Sequence, residues 1–271
     1  MPKLLLAVLA TLLLSACEQQ PEQTTQILVI RCGNLIDGLA DETLGGRTIV
    51  VENERIAALQ PLDTPAPEGV ELLDLSDATC LPGLIDTHTH IALNHDDSSD
   101  LTVYYERTMA DNMAITVANA DVTLKAGFTT IRNVGDYFPE AILEARKKIR
   151  AGEIPGPRIQ TAGSYLTIPG GGGDLVVPGH DESEIPPGVR IGVARGPEAF
   201  AAATQQILNN GADMIKIIAS GAVFAFGGVP GAPEMTPEEI AAVVEVAHAA
   251  GVKVTAHAHG AQSIKDAILA G

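Results

Sequence analysis

The chain has 271 residues, 46% hydrophobic and 19% charged, which is enough apolar side chain for a buried core and excludes a disordered polymer. Acidic residues outnumber basic ones 34 to 17, and the resulting net charge of −17 excludes a phosphate-neutralising nucleic-acid surface. Trp is absent, aromatic residues make up 3%, and three Cys are too few for a disulfide scaffold.

Residues 1–17 read as an address rather than as part of the fold. Lys3 supplies a short positive region, and residues 4–14 form an apolar stretch too short for a membrane span of about 20 residues. The stretch ends in Leu14-Ser15-Ala16-Cys17, which resembles the lipobox of bacterial lipoproteins. That resemblance implies a lipid on Cys17, the alternative being an ordinary signal peptide with a chance Cys. Residues 18–26, polar and containing Pro21, form a tether. Glu18 rather than Asp follows the Cys, so the resemblance implies a periplasmic protein anchored to the outer membrane in preference to the inner one.

Residues 27–80 read as a small β unit, with strand runs at 27–30, 48–51 and 56–59, turns at Gly33 and Asp37-Gly38, and a Pro-rich turn at 61–67. From Leu81 to Gly271 strands and helices alternate, the pattern of a parallel sheet or barrel. Strands are expected at 83–90, 129–134, 158–162, 214–219 and 254–259, and helices near 103–126, 139–151, 197–210 and 237–250. Thr236-Pro237-Glu238-Glu239 places a cap, a first-turn Pro and a capping-box Glu at the start of a helix. Gly127, Gly152, Gly211 and Gly251 stop the helices. The Gly- and Pro-rich loops 168–189 and 221–235 follow strand C-terminal ends, where βα barrels build active sites.

In Asp86-Thr87-His88-Thr89-His90 the period of two puts Asp86, His88 and His90 on one face of a strand end, where two imidazoles can ligate one metal ion. A bare His-x-His also occurs on exposed strands without function, but this one follows Leu81-Pro82-Gly83-Leu84-Ile85. Thr255-Ala256-His257-Ala258-His259-Gly260 repeats the arrangement, so four of the seven His sit at two strand ends. Lys216 interrupts the otherwise apolar Met214-Ile215-Lys216-Ile217-Ile218, and a buried ammonium needs a partner or a depressed pKa. Two readings stay open. The lysine snorkels from a strand end, or it is a neutral amine that takes up carbon dioxide as a carbamate able to bridge two cations.

The stretch 82–90, then Gly211-Ala212-Asp213-Met214-Ile215-Lys216, then Ala256-His257-Ala258-His259-Gly260 resemble the amidohydrolase superfamily. Within it they are similar to the prolidase-like and imidazolonepropionase-like metal-dependent dipeptidases, from about residue 27 to the end. The resemblance implies an α/β fold. About five βα units of a (β/α)8 TIM-type barrel fall in 81–271, and 27–80 is the N-terminal half of a composite β-sandwich. It implies two divalent metal ions, commonly zinc, held by His88, His90, an N-carboxylated Lys216 and His257, with His259 as a substrate contact. Ser220 and Gly221, on the loop leading to Glu234, are expected to touch substrate. The implied reaction is hydrolysis of a dipeptide amide by a metal-bridging hydroxide, on Xaa-Pro or Xaa-Lys/Arg substrates.

Two departures from the family pattern follow. Gly170-Gly171-Gly172-Gly173-Asp174 has Gly172 where members often carry His, and the strand-6 His and the general-base Asp of strand 8 are expected beyond Gly271. On this basis the chain is expected to be an N-terminal fragment, inactive by itself. The alternative is a periplasmic metal- or ligand-binding lipoprotein with an incomplete, inactive site. Whether Cys32 and Cys80 pair is left open by the sequence, two separate thiols being the expectation over a bridge.

Overall fold

The computed structural model describes residues 25–223, 226 and 228–271, without the side chain of His95. Cys17 and all of the tether before Thr25 lie outside the described residues. The chain divides between Pro82 and Gly83 into two compact units.

In the first unit β1 (Ile27–Leu35), β2 (Leu44–Glu52), β3 (Arg55–Pro61) and β4 (Glu71–Cys80) form one sheet, ordered β3-β2-β1-β4. β2 turns into β3 through Asn53, whose φ of 55° suits the two-residue hairpin turn. β4 has no counterpart among the predicted runs. It pairs parallel to β1, and the ladder slips between Cys32 and Asn34. Gly33 is required at that slip, because a Cβ would meet the Ser76 carbonyl oxygen at 2.3 Å. Beyond the slip Cys80 lies beside Cys32, Cα atoms 5.8 Å apart, and the two form a disulfide. This corrects the expectation of two separate thiols. The Cys are 48 residues apart, and only the parallel register brings them together. A second sheet completing a sandwich is not present among the described residues.

In the second unit β5 (Leu84–Thr89), β6 (Phe128–Asn133) and β7 (Arg158–Thr161) form one parallel sheet; β8 (Tyr165–Leu166), β9 (Ile215–Ile218) and β10 (Val254–His257) form another. All five predicted strands are present, and the third runs on past its predicted end in two pieces. β7 pairs with β6, Gly163 turns the chain with a φ of 66°, and β8 resumes against β9. The described strands close no barrel.

The helices are α1 (Val103–Glu106), α2 (Met109–Lys125), α3 (Pro139–Arg150), α4 (Pro197–Asn209), α5 (Pro237–Ala249) and α6 (Ala261–Ala270). The single helix predicted over 103–126 is broken at Thr108. Its Oγ1 accepts from the Asp111 N–H at 3.2 Å, and the Asp111 carboxylate accepts from the Thr108 N–H at 2.9 Å, a box that starts a new helix. α6 was not among the predicted elements. The expected box opens α5, where buried Glu239 also accepts from the Gly196 N–H at 2.7 Å. The four predicted stop glycines follow their helices with φ between 70° and 98°.

Strand β9 is buried along its whole length. Ile215 and Ile217 join Leu166 in a core with Phe200 and Ile207 of α4 and Ile240 and Val243 of α5. Ile131 and Ile159 pack with Ala120 of α2 and Ile142 of α3. Among the described residues no helix is long and apolar enough to cross a membrane.

Closing a 48-residue separation with a disulfide removes chain entropy worth about 4 kcal/mol from the unfolded state. Reduction, or Cys32→Ser, is expected to lower stability of the first unit by about 2–4 kcal/mol. Urea unfolding with and without reductant checks this; coincident transitions would show that the bridge contributes nothing.

Candidate active site

Alternation along the strands decides what reaches the space at their C-terminal ends. Because Ile215 and Ile217 serve the helix-side core, Lys216 and Ile218 face a cavity of about 410 Å³. On β8, Leu166 joins that core and Tyr165 lines the cavity. β5 and β10 deliver His88 and His257, and His90 and His259 follow two residues on. Of the seven residues predicted as ligands or substrate contacts, five, His88, His90, Lys216, His257 and His259, line this one cavity. The His88 and His90 rings lie 5.4 Å apart, and those of His257 and His259 4.5 Å. A larger open groove of about 860 Å³ along α3 is lined by Glu140, Glu144, Arg146 and Lys147 and carries no His or Cys. The chemistry therefore belongs to the smaller cavity.

His90 is the best held of the four imidazoles. Its Nδ1 lies 2.7 Å from the Gly135 carbonyl oxygen, which can only accept, so Nδ1 carries the proton and Nε2 keeps its lone pair. Tyr165 Oη is 3.2 Å from the same nitrogen. Gly135 adopts a φ of 107°, and a Cβ there would strike the Tyr165 ring at 2.7 Å, so only glycine allows this contact. Asn133 fixes the turn by accepting from the Ile91 N–H at 2.9 Å and donating to the buried carboxyl of Asp136. Burial raises the Asp136 pKa well above the carboxylate range, against the Asn133 side-chain and Ala92 backbone hydrogen bonds, which lower it.

Burial lowers the pKa of His90 to about 4 and also lowers those of His88 and His257, with the charge of Lys216 acting in the same direction. Burial lowers Lys216 to about 8, and Arg132 adds repulsion. Lys216 is 3% exposed, so it does not snorkel to solvent. His257 Nε2 is buried without a hydrogen-bond partner. A buried nitrogen left unpaired costs free energy, and a neutral imidazole nitrogen is a metal donor. In donor chemistry His88, His90 and His257 fit a divalent ion. Among the described residues, however, no three His, Cys, Asp or Glu side chains are arranged to hold a metal by themselves. A cage here needs Lys216 as a further donor, and an ammonium is not one.

Ser220 and Gly221 do not line the cavity. Ser220 is fully buried, and its Oγ accepts from the His259 N–H at 3.0 Å. Gly221 is tied by its backbone to Gly231 and Ala232, and through a hydrogen bond to His257. The pair thus holds the strand-end histidines in place instead of facing substrate. Sequence reasoning missed the tyrosines: Tyr104, Tyr137 and Tyr165, three of the four in the chain, line the cavity. No local pattern marks them, since three separate segments supply them, α1, the loop before α3 and β8. Gly172 also lines the cavity, and a Cβ there would sit 3.0 Å from Ala222 and Ile218, so a larger residue would require these neighbours to give way.

The amidohydrolase family model matches residues 79–271, and the chain belongs to that family. Among solved structures it is similar to a Xaa-Pro dipeptidase with methionine bound in its active site. Identity is 34% and the TM-score 0.82, over 91% of this chain and 60% of that one. Ochratoxinase of Aspergillus niger is 28% identical over 262 residues, which cover 91% of this chain and 53% of the relative. The ochratoxinase crystal structure gives a TM-score of 0.77 at 27% identity, over 91% of this chain and 59% of that one. This chain therefore spans about half the length of the curated relative it matches, 53%.

His90 titrates near 6.5 when unfolded and near 4 when folded. The unfolded chain therefore takes up a proton that the folded one refuses as pH falls between those values. The stabilisation is complete above pH 6.5 and is lost toward pH 4, by on the order of 3 kcal/mol. Urea midpoints of the metal-free protein are expected to fall across that window. His90→Asn is expected to flatten the slope, separating the imidazole from Asp136, whose raised pKa acts with the opposite sign. Parallel slopes in the two proteins would refute the assignment.

Proposed function

We propose that the protein is a metal-dependent amide hydrolase acting on dipeptides. One observation carries this: His88, His90, Lys216 and His257, far apart in sequence, line a single cavity in which every imidazole among them is biased to its neutral form. Family membership and the similarity to a Xaa-Pro dipeptidase and to ochratoxinase support it. His88 and His90 would hold one divalent ion, zinc being the simplest choice for such donors, and His257 a second, with Lys216 between them as its carbamate. Metals bound there would polarise an amide carbonyl and lower the pKa of water.

The chain's own residues prepare this. Burial holds Lys216 near pKa 8, which supplies a neutral amine. That amine attacks carbon dioxide, an N–C bond forms, and one N–H proton leaves to solvent. The Gly135 carbonyl keeps His90 from turning and reserves its Nε2. Tyr165 is buried and its pKa is raised, so its hydroxyl stays protonated beside His90. His259 is positioned by Ser220 to meet substrate. The substrates in view are Xaa-Pro and Xaa-Lys/Arg dipeptides.

In a complete, metal-loaded protein, Lys216→Ala is expected to lose at least one metal per chain by elemental analysis. Dipeptide hydrolysis should drop by at least about 100-fold, beyond the usual effect of an outer-sphere change. Added short carboxylic acids should restore part of it. Full metal content with full activity would overturn the bridging role. A metal- or ligand-binding lipoprotein with an inactive site is the second reading, favoured by the lack of a three-donor cage among the described residues. Stoichiometric metal without turnover of any dipeptide would select it.

The protein is further proposed to be periplasmic and held at the outer membrane by a diacylglycerol on Cys17. The Cys32–Cys80 disulfide supports an oxidising compartment. Cys17→Ser should yield an uncleaved or soluble form without the lipid mass. Wild-type protein found wholly in the soluble periplasmic fraction, with Cys17 unmodified, would overturn the anchor.

A further inference from the structure

Beyond the histidines and Lys216, the lining of the cavity is mostly uncharged. Tyr104, Tyr137 and Tyr165 contribute to it with Leu93 and Leu101. The rings interlock, with Tyr104 and Tyr137 centroids 4.9 Å apart and Tyr137 and Tyr165 centroids 5.3 Å apart. Burial raises all three phenol pKa values, so the hydroxyls are neutral.

The one acid on the lining is Asp97, and its charge is already matched. Arg107 donates to both carboxylate oxygens, the Tyr104 hydroxyl donates at 3.0 Å and the Asn94 N–H at 2.8 Å. The Asp97 side chain is 6% exposed. A lysine or arginine side chain entering here would lose water and meet no free anion, which is costly. An apolar side chain would lose only water, which is favourable. Glu234, whose carboxylate accepts from the Gly172 N–H at 2.8 Å, is not on the lining.

We propose that this tyrosine- and leucine-lined part of the cavity is a subsite for an uncharged apolar side chain, aromatic or branched, and that it rejects lysine and arginine. Calling its occupant a substrate side chain rests on the amide-hydrolase reading above. The subsite deepens that reading by removing cationic side chains from this position.

The test uses two ligands that share a carboxylate and differ only in their tails. Titrations of the holoprotein with 3-phenylpropionate and with 6-aminohexanoate are followed by tyrosine emission, unmasked because the chain has no Trp and three of its four Tyr line the cavity. Half-saturation with 3-phenylpropionate is expected at a concentration at least tenfold lower. Leu93→Asp, a change at a half-buried position that adds an unmatched carboxylate, should bring the two ligands to parity. In turnover, kcat/KM for Leu-Pro and Phe-Pro should exceed that for Lys-Pro at least tenfold. Equal or tighter binding of 6-aminohexanoate by the wild type would overturn the subsite whatever the activity. Failure of a complete, metal-loaded protein to cleave any dipeptide, with the tenfold binding difference intact, would overturn the dipeptidase reading and support the subsite.

Discussion

Strand β9 is four residues long and buried on both faces, and the placement of the site depends on that double burial. Ile215 and Ile217 are committed to the core against α4 and α5, so Lys216 and Ile218 are committed to the cavity. A slip of one residue would drive an ammonium among Phe200, Ile240 and Val243 and would cost several kcal/mol. The neighbouring strands inherit this register. Tyr165 and Thr255 both pair with Lys216, and His257 pairs with Ile218, so the tyrosine and the histidine reach the cavity through the same constraint.

Burial then does chemical work of two kinds. For bases it disfavours the protonated form, which is why Lys216, His88, His90 and His257 all titrate low; the imidazoles then present lone pairs, and Lys216 gives up its proton more readily than a free lysine. For Asp97 burial acts the other way, yet the Arg107 fork, the Asn94 N–H and the Tyr104 hydroxyl together outweigh it and keep the carboxylate charged. Asp136 lacks such a cation, and its pKa is raised. The three outcomes come from one desolvation cost met with different partners.

The first unit fixes its register covalently instead. Its sheet buries few side chains, Val29, Cys32, Leu35 and Ile49 among them, while Ile56, Leu59, Leu72 and Leu73 stay exposed. A small sheet with so little core gains proportionally more from a bridge between its parallel strands.

Most strand positions, β4 apart, and the helix stops were readable from sequence because each rests on local rules, whereas the joining of the His pairs and Lys216 into one site was implied only by the family resemblance. Period-two alternation, capping boxes and left-handed glycines act within a few residues. The family resemblance carried by residues 82–90, 211–216 and 256–260 agrees with the match over residues 79–271. What sequence could not decide depends on contacts between distant segments. The Cys32–Cys80 bridge needed β4 to pair alongside β1; the break at Thr108, by contrast, is made by a local Thr108–Asp111 box that the sequence reading passed over. Ser220 and Gly221 proved to hold histidines because the loop after β9 folds back on itself through Gly231 and Ala232. The tyrosine lining was hidden for the same reason: Tyr104, Tyr137 and Tyr165 come from α1, the loop before α3 and β8, and only tertiary packing brings the Tyr137 ring within 4.9 Å of Tyr104 and 5.3 Å of Tyr165.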